Sequence, residues 1–335
     1  MKEDKRNPKK KKKLSRRRIF CRKLRIVIFL LVLAVFGILF CIYQRTAGVK
    51  NAKLTEDKTI AIFGVDSRDD NMERGNSDVI MVAHINTEDK TVKVASVYRD
   101  TFLDIGDETY RKCNAAYGKG GADQAVDMLN DNLDLDIEDY VTVDFKAVVK
   151  LIDILDGITM DLTGEEVMYL NTYCGETAQV AGTEYQPISP EAAGTYNLTG
   201  TQAVALCRVR YTAGGDFTRT ERQREVMGLI VEKMKSMSVS DMMSAVTEVL
   251  PLVKTSYSKT EVLSMCVPLM KYSLGETTGF PFEHVDKKID KKACVVATTL
   301  ESNVIQLHEF FGDTDYTISD KAKEISDYIE ENYGE

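Results

Sequence analysis

An uninterrupted apolar run near the amino terminus is the feature that most restricts how this chain can fold. Residues 26–43, IVIFLLVLAVFGILFCIY, form eighteen consecutive uncharged positions. That is close to the length that an α-helix needs to cross ~30 Å of hydrocarbon. The residues that follow, QRTAGVKNAK, contain no clear A-x-A cleavage pattern, which a secretory signal peptide would have. We therefore predict a single retained transmembrane helix.

The segment before this run is strongly basic. Residues 1–25 contain fourteen lysines and arginines and two acidic residues. Basic residues beside a membrane span are held in the cytoplasm, so residues 44–335 are expected on the outer side of the membrane. A nucleic-acid-binding arm is the alternative for the tail. Lysine runs beside a span more often set topology and contact anionic lipid, and we predict no nucleic-acid partner.

The predicted organisation has four parts: a basic cytoplasmic tail (1–25), a transmembrane helix (26–43), a linker (44–57) and an extracytoplasmic domain (58–335). Outside the tail, 30 basic residues are set against 50 acidic ones, which disfavours a general polyanion binder. The outer part has five cysteines without C-x-x-C spacing, an odd number that argues against a disulfide framework. The three histidines lie too far apart in the sequence to suggest a zinc site.

Three β-rich segments begin the outer domain. They are residues 59–65, 78–85 and 91–98, and the polar turn NTEDK makes the last two a predicted hairpin. If the first strand also pairs antiparallel with the second, three strand ends share one edge of the sheet. Charged residues stand at all three ends: Asp66 and Arg68, Asp78, and Arg99 with Asp100. Charged turns are common at sheet edges, but three sets at one edge indicate a functional site.

The centre of the domain is predicted to mix helices and strands. Apolar spacing predicts helices over 121–133 and 143–157, with a strand in ITMDLT after the second. Residues 165–197 are polar and are predicted to form a long loop or lid. Residues 201–211, TQAVALCRVRY, are predicted to start as a short helix and continue as a strand. Alternation in that strand would place Arg208 and Arg210 on one face.

A second concentration of arginine follows in residues 214–224, GGDFTRTERQR. If a helix begins here, Arg219, Arg222 and Gln223 lie at i, i+3 and i+4 and share a face, with Arg224 turned away. Cations at a helix N-terminus oppose the macrodipole. A bound anion compensates that cost, and the planar guanidinium is well suited to phosphate. Ion pairs with neighbouring acids such as Asp216 are the alternative, but they do not explain the arginines elsewhere.

These residues together predict a pocket for a phosphate-containing ligand. Asp66 and Asp78 are the carboxylates expected beside the arginines. Mg²⁺ usually binds through one or two carboxylates together with phosphate oxygens, so we predict Mg²⁺ as a cofactor. Because the domain is expected at the outer membrane surface, a lipid-linked diphosphate is favoured over a soluble nucleotide as the substrate.

The same segments resemble a known family. Six blocks occur in the order and approximate spacing of the LytR/CpsA/Psr family of cell-wall glycopolymer transferases, over about residues 58–235: IAIFGVDSR, SDVIMVAHIN, VKVASVYRDT, KCNAAYGKGG, LTGTQAVALCRVRY and GGDFTRTERQR. The resemblance implies a mixed α/β fold, with a central mixed sheet between helices in an α-β-α sandwich, and a hydrophobic pocket for a polyprenyl chain. It also implies transfer of a glycopolymer, such as a teichoic acid or a capsular polysaccharide, from a polyprenyl diphosphate carrier to peptidoglycan.

The resemblance also assigns roles to individual residues. The magnesium-binding acids of the family correspond to Asp66 and Asp78. Its diphosphate-binding residues correspond to Arg99, Arg208, Arg210, Arg222 and Gln223, and the position of Arg68 and Arg219 in the sequence adds these two to the predicted set. The predicted catalytic residues are Arg99, Asp100 and Asp216, either aspartate being a candidate proton acceptor. The chain has Asn76, Tyr98 and Gly214 where the family commonly has arginine, proline and an acid.

Two other classes of function remain open at this point. A phosphohydrolase would use the same metal and arginines with water as the acceptor. A non-catalytic membrane-anchored binder or regulator would keep the arginines and need no metal. Beyond residue 240, further helices, a last strand in KKACVVATTL and a C-terminal surface helix are predicted.

Overall fold

The computed structural model describes residues 54, 56–66, 72 and 75–334. The predicted tail, the predicted transmembrane helix and most of the predicted linker lie outside the described residues, and so does Arg68. Within the described part, no helix combines the length and the apolar character needed to cross a bilayer.

The strands of the described part begin with the three that were predicted at the start of the outer domain. In chain order they are β1 (Lys58–Val65), β2 (Ser77–Asn86), β3 (Thr91–Val97), β4 (Phe102–Asp104), β5 (Tyr110–Lys112), β6 (Asp139–Val143), β7 (Ile158–Leu162), β8 (Gly194–Leu198), β9 (Val253–Thr255), β10 (Ser273–Phe280), β11 (His284–Ile289) and β12 (Lys292–Ala297). The first three, and the last strand, confirm the strands predicted for those segments.

The helices of the same part begin after β5. They are α1 (Ala115–Leu133), α2 (Phe145–Ile154), α3 (Gly164–Ala181), α4 (Gly200–Leu206), α5 (Gly215–Ser236), α6 (Val239–Val249), α7 (Lys259–Leu269), α8 (Leu300–Phe311) and α9 (Asp320–Tyr333), with one 3-10 turn at Leu250–Leu252. The predicted helices in the centre of the domain, at the arginine-rich segment and at the C-terminus are confirmed.

A six-stranded mixed sheet lies at the centre, in the order β10-β3-β2-β1-β6-β9. The pairs β1–β2, β2–β3 and β6–β9 are antiparallel, whereas β1–β6 and β3–β10 are parallel. The antiparallel pairing of β1 with β2 is the arrangement that the sequence analysis required for one common edge of charged residues. A register shift at Gly64 and Val65 ends this pairing beside that edge.

Helices cover both faces of the sheet. On one face, Phe63 and Val82 belong to a core cluster that includes residues of α1 and α8. On the other face, Ile62 and Met81 pack with Met227 of α5. Alternate residues of each strand point to opposite faces, which explains why neighbours in sequence enter different cores. The predicted mixed α/β fold, with helices on both sides of a mixed sheet, is confirmed.

Two predictions for residues 165–211 are wrong. The predicted loop contains helix α3, which starts with a capping box in which Thr163 and Glu166 satisfy each other's backbone N–H groups. The predicted strand after residue 206 is absent from this segment. Arg208 N and Val209 N instead donate to the carbonyls of Ala205 and Leu206, three residues back, at 3.1 Å each, so the chain leaves α4 through tight turns.

The hairpin β11–β12 is connected directly to the charged edge of the sheet. Val295 N donates to the Asp100 carbonyl at 2.9 Å, and Thr101 and Val295 form an isolated parallel bridge. Tyr98 N donates to Phe280 O at 2.9 Å just before the hairpin begins. The turn after β3 is thus held by the C-terminal part of the chain.

Candidate functional site

Four of the predicted site residues come together at one edge of the sheet. Asp66 follows β1, Asp78 is the second residue of β2, and Arg99 and Asp100 follow β3. Arg99 Nη1 donates to Asp78 Oδ1 at 2.6 Å. The strand pairing alone accounts for this proximity, because antiparallel neighbours bring the start of one strand beside the end of the next.

Arg99 lies at the centre of a group of carboxylates. Besides Asp78, its guanidinium is 3.4 Å from Asp216 Oδ1 and 3.9 Å from Asp100 Oδ1, and its side chain is only 14% exposed. Burial opposes the charged form, but the nearby Asp78 and Asp216 raise the pKa of Arg99 above its ordinary value. Within the described residues, Arg99 Nε is buried and has no hydrogen-bond partner. A donor remains for an anion.

Arg219 brings a second guanidinium to the same group from the first turn of α5. Its Nη2 donates to Asp216 Oδ2 at 2.9 Å, and its side chain is 3% exposed. Burial, reinforced by the cations Arg99 and Arg210, lowers the pKa of Arg219 to about 10 despite Asp216. Its Nε is also buried without a hydrogen-bond partner in the part of the chain that is described. In the described part of the chain, two buried Nε donors, one on Arg99 and one on Arg219, are therefore available to an anionic ligand.

Arg208 and Arg210 approach from the turns after α4. Arg208 donates to Thr177 Oγ1 and Glu176 Oε2, both at 2.8 Å, and lies over the ring of Tyr173 at 5.4 Å. Arg210 Nη2 is 3.8 Å from Asp78 Oδ2. The two arginines flank the fully buried Val209. Both come to the site as the sequence analysis expected, although a turn and not a strand places them.

Arg222 lies elsewhere. Its guanidinium donates to Glu166 Oε1 at 2.9 Å, to Val209 O at 3.3 Å and to the hydroxyl of Thr212. Two cavities, described below, meet at the charged edge, and Arg222 lines neither of them. These contacts join α5 to α3 and to the turns after α4, so Arg222 holds the arginine-bearing segment in place. The predicted diphosphate contact of Arg222 does not agree with this placement.

An apolar cavity of about 470 Å³ ends at this charged edge. Its walls are mostly aliphatic, and they come from β1, β2, α2, α4 and α5. They include Ile62, Val79, Met81, Val148, Leu151, Val204, Val226, Met227 and Ile230. The charged residues of the lining include Glu176, the partner of Arg208. The predicted site residues in the lining are Asp66, Asp78, Arg208, Arg210, Arg219 and Gln223. An elongated molecule with an apolar body and an anionic head fits such a lining.

A second, polar cavity of about 680 Å³ lies against the same edge. Asp78 lines both cavities, and Arg99 and Asp100 line the second. The pair of Asp78 and Arg99 therefore stands where the two cavities meet.

The residues at this edge suit a magnesium ion. Asp66 and Asp78 line the same end of the apolar cavity, and two carboxylates with ligand oxygens are a common donor set for Mg²⁺. Among the described residues, no cluster of three or more His, Cys, Asp or Glu side chains is placed to bind a metal. A metal here would need oxygen atoms from the ligand to complete its coordination.

Backbone conformation and aromatic packing position the start of α5. Gly214 has φ of 85° and precedes the helix, and a Cβ there would lie 2.1 Å from Thr218 Oγ1. Phe217, in the first turn, packs edge-on against Tyr98 at 4.7 Å between ring centroids and lies 4.9 Å from the His284 ring. These contacts join α5, the end of β3 and the hairpin through the residues next to Arg99 and Asp216 in the sequence.

Sequence reasoning missed several residues that shape the site. Tyr173 and Glu176 lie on α3, the helix predicted as a loop, and contact Arg208. The T-x-x-E capping box and the helical spacing of Val167, Leu170 and Cys174 were the signals available for that helix. Lys112 Nζ, 3.0 Å from Asp100 Oδ2, stands in the KCNAAYGKGG block but had no distinguishing signal of its own.

Comparison with known proteins agrees with the mixed α/β fold. Residues 42–278 match the model of the LytR_cpsA_psr family. The match covers more than half of the chain, and the chain belongs to this family.

Relatives of known name share part of the sequence. The polyisoprenyl-teichoic acid–peptidoglycan teichoic acid transferase TagU of Enterococcus faecalis is 33% identical over 214 residues, which cover 62% of this chain and 64% of TagU. The enzyme of the same description named TagV, from Bacillus subtilis, is 29% identical over 184 residues, or 54% of this chain and 44% of TagV. The chain thus spans between 44% and 64% of the length of these curated relatives.

Solved structures share the fold. A protein described as a transcriptional regulator from Enterococcus faecalis is similar with a TM-score of 0.63 and 24% identity, covering 84% of this chain and 96% of that chain. TagT bound to LIIa-WTA is similar with a TM-score of 0.59 and 23% identity, covering 79% of this chain and 96% of that chain.

Proposed function

We propose that the protein is a membrane-anchored, extracytoplasmic glycopolymer phosphotransferase. It transfers a polymer of the teichoic acid or capsular polysaccharide type from a polyprenyl diphosphate carrier to peptidoglycan. The observation that carries the proposal is the apolar cavity of about 470 Å³ that ends in a charged cluster with Asp66, Asp78 and three arginines. The names of the relatives TagU and TagV support it. Anchoring depends on the apolar run 26–43 and the basic residues before it.

The two ends of the cavity match the two ends of such a donor. The aliphatic walls take part of the polyprenyl chain, since burial of each CH₂ contributes about 0.8 kcal/mol. Arg208, Arg210 and Arg219 then meet the diphosphate. Arg99 is placed beside the phosphorus that bears the polymer, where it stabilises charge on the transferring group.

Asp66 and Asp78 are the residues that would hold magnesium. When bound, the ion supplies neutralisation of negative charge on the diphosphate oxygens. Asp78 also receives the hydrogen bond from Arg99 Nη1 at 2.6 Å, which fixes the orientation of the arginine. The predicted metal role and the positioning role fall on the same side chain.

The reaction is a substitution at phosphorus. A peptidoglycan hydroxyl attacks the phosphorus next to the polymer, a new P–O bond forms to the acceptor, and the P–O bond to polyprenyl phosphate breaks. The hydroxyl proton passes to a carboxylate, for which Asp100 and Asp216 are the candidates. Asp216 pairs with both Arg99 and Arg219 and is in the lining of neither cavity. Asp100 lines the polar cavity, so its position favours it as the acceptor of the proton.

The experiment follows the fate of a labelled polyprenyl-diphosphate-linked oligosaccharide incubated with the full-length protein and Mg²⁺. A transferase forms labelled peptidoglycan when peptidoglycan fragments are present and releases little label without them. Release of free oligosaccharide phosphate at the same rate with and without fragments would show a phosphohydrolase instead. Retention of intact donor with no product would show a binder or regulator, the class suggested by the description of the Enterococcus faecalis structure as a transcriptional regulator.

A further inference from the structure

We infer that the polar cavity beside Arg99 is the binding site for the acceptor, and that the β11–β12 hairpin selects an acceptor glycan bearing carboxylate groups. The inference rests on the proposed function and extends it to the second substrate. It begins from the juxtaposition of a mostly aliphatic cavity and a second cavity rich in charged and amide side chains, which meet at Asp78 and Arg99.

The geometry of substitution at phosphorus places the acceptor on this side. Entering and leaving oxygens lie roughly in line on opposite sides of the phosphorus. The leaving group is polyprenyl phosphate, whose chain belongs in the apolar cavity. The attacking hydroxyl therefore arrives from the opposite side of the charged edge, and the polar cavity occupies that position next to Asp78 and Arg99. The bond changes are those of the proposed reaction, and Asp100 lies in this cavity to take the hydroxyl proton.

The lining of the polar cavity suits an anionic sugar. Its volume of about 680 Å³ lies within the range of about 300 to 1,000 Å³ that holds small ligands. Asn76 and Asn114 offer amide groups for sugar hydroxyls. The lining has three carboxylates, Asp78, Asp100 and Asp290, and one positive charge more than these, because Arg99 is joined by Arg111, Lys112 and Lys292. Within the described residues, only Lys112 of these three cations forms an ion pair, with Asp100 at 3.0 Å.

An aromatic wall completes the cavity. The Tyr110 ring, in the lining, stacks on Tyr328 of α9 at 4.1 Å between centroids and on Phe102 at 6.4 Å. Sugar rings commonly pack against such apolar faces while their hydroxyls meet polar groups at the rim. Free phosphate has no apolar surface to pack against this wall, so the lining favours a glycan over a small inorganic anion.

The opposite wall comes from a segment beyond the family match, which ends at residue 278. Ile289, Asp290, Lys292 and Cys294 of the β11–β12 hairpin line the cavity, and Val295 ties the hairpin to the Asp100 carbonyl. The charged edge lies within the family match and the hairpin lies outside it. We therefore assign the chemistry to the shared part and the choice of acceptor to the hairpin.

Two charge reversals on one hairpin test the inference. Lys292→Glu places a negative charge in the cavity lining. Lys288→Glu is the matched control, because Lys288 is exposed on the same hairpin and is not part of the lining. Steady-state transfer is measured with full-length protein, varying peptidoglycan fragments at fixed donor and then donor at fixed fragments. Thermal melting confirms that each variant folds, and Arg111→Glu on β5 repeats the test from the facing wall.

We expect Lys292→Glu to raise the KM for peptidoglycan fragments about tenfold, which corresponds to loss of one charge-assisted contact, with kcat and donor KM little changed. Lys288→Glu should match the wild type. A rise in donor KM instead would overturn the inference and assign the cavity to the donor polymer. An unchanged KM for peptidoglycan fragments in both Lys292→Glu and Arg111→Glu would also overturn the inference.

The inference and the proposed function can fail separately. If the wild type gives no transfer, the proposed function fails, and binding of labelled peptidoglycan fragments then tests the cavity alone. Weaker binding to Lys292→Glu than to Lys288→Glu would support an acceptor glycan site even so, whereas equal binding would overturn it.

Discussion

Replacement of Arg222 by alanine distinguishes a structural arginine from the ligand-binding ones nearby. The sequence analysis placed Arg222 among the diphosphate ligands, but the structure gives it Glu166, the Val209 carbonyl and Thr212 as partners. Its side chain is 6% exposed and that of Glu166 is 19% exposed. We therefore expect Arg222→Ala to lower stability and to reduce activity only as far as the arginine-bearing turns loosen.

The loss of stability in Arg222→Ala depends on the contacts that Glu166 keeps. Removing one partner of a buried ion pair typically costs about 3–5 kcal/mol. Glu166 keeps hydrogen bonds from Thr163 N at 3.0 Å and Thr163 Oγ1 at 2.9 Å and has some access to water, which points to the lower end, about 3 kcal/mol. In a domain of this size that corresponds to a fall in Tm of roughly 5 to 10 °C.

The assay is thermal melting of the wild type, Arg222→Ala and the control Lys235→Ala, which removes an exposed cation from the last turn of the same helix. The control should melt with the wild type. If Arg222→Ala melted normally but lost donor binding, Arg222 would belong to the ligand site and the structural interpretation would be refuted.

The loss of stability caused by Arg222→Ala should also depend on pH. Burial alone would raise the pKa of Glu166, but hydrogen bonds from Thr163 and Arg222 outweigh it and hold the pKa below its ordinary value of 4.5. A lowered carboxyl pKa contributes stability that is present above the ordinary value and is lost as the pH falls through the folded value. The gap in Tm between wild type and Arg222→Ala should therefore narrow as the pH falls below 4.5.

Four further substitutions test other parts of the site. Arg99→Ala or Asp78→Ala should reduce transfer about 10²-fold or more. Both variants should still melt as folded proteins, because Arg99→Ala leaves Asp216 with Arg219 at 2.9 Å and Asp78 with Arg210 at 3.8 Å, and Asp78→Ala leaves Arg99 with Asp216 at 3.4 Å. Normal transfer by either variant would contradict the mechanism. Asp100→Asn should lower kcat without raising the donor KM in the same assay, and an unchanged kcat would leave Asp216 as the proton acceptor. Gly214→Ala should cost about 1–2 kcal/mol in denaturant unfolding, because of its φ of 85° and the contact of 2.1 Å with Thr218; wild-type stability would show that the turn adapts.

The sheet edge was predictable because it depends on local patterns. Alternation and a short polar turn define β1 to β3, and their antiparallel order alone brings Asp66, Asp78 and Arg99 together. Arg208 and Arg210 were placed correctly, but tight turns and not the predicted strand place them. A strand and a pair of tight turns around a buried Val209 both leave the flanking residues on the same side.

The role of Arg222 could not be predicted from local sequence patterns. A helix pattern puts Arg219 and Arg222 on one face, and only their partners separate them. Arg219 meets Asp216 within its own helix, whereas Arg222 meets Glu166, 56 positions earlier, on a helix that the polar sequence of residues 165–197 concealed. The polar cavity was likewise invisible, since its walls come from β4–β5 and from a hairpin about 180 residues later.

Magnesium-dependent attachment of the polymer tests the central claim most directly. Full-length protein is mixed with labelled polyprenyl-diphosphate-linked oligosaccharide and peptidoglycan fragments, and label on peptidoglycan is measured with Mg²⁺, with a chelator, and with Mg²⁺ restored. The account predicts attachment that the chelator abolishes and Mg²⁺ restores, and that Asp78→Ala lacks under all three conditions. Donor that binds tightly but is never transferred, whatever the metal, would contradict the transferase account.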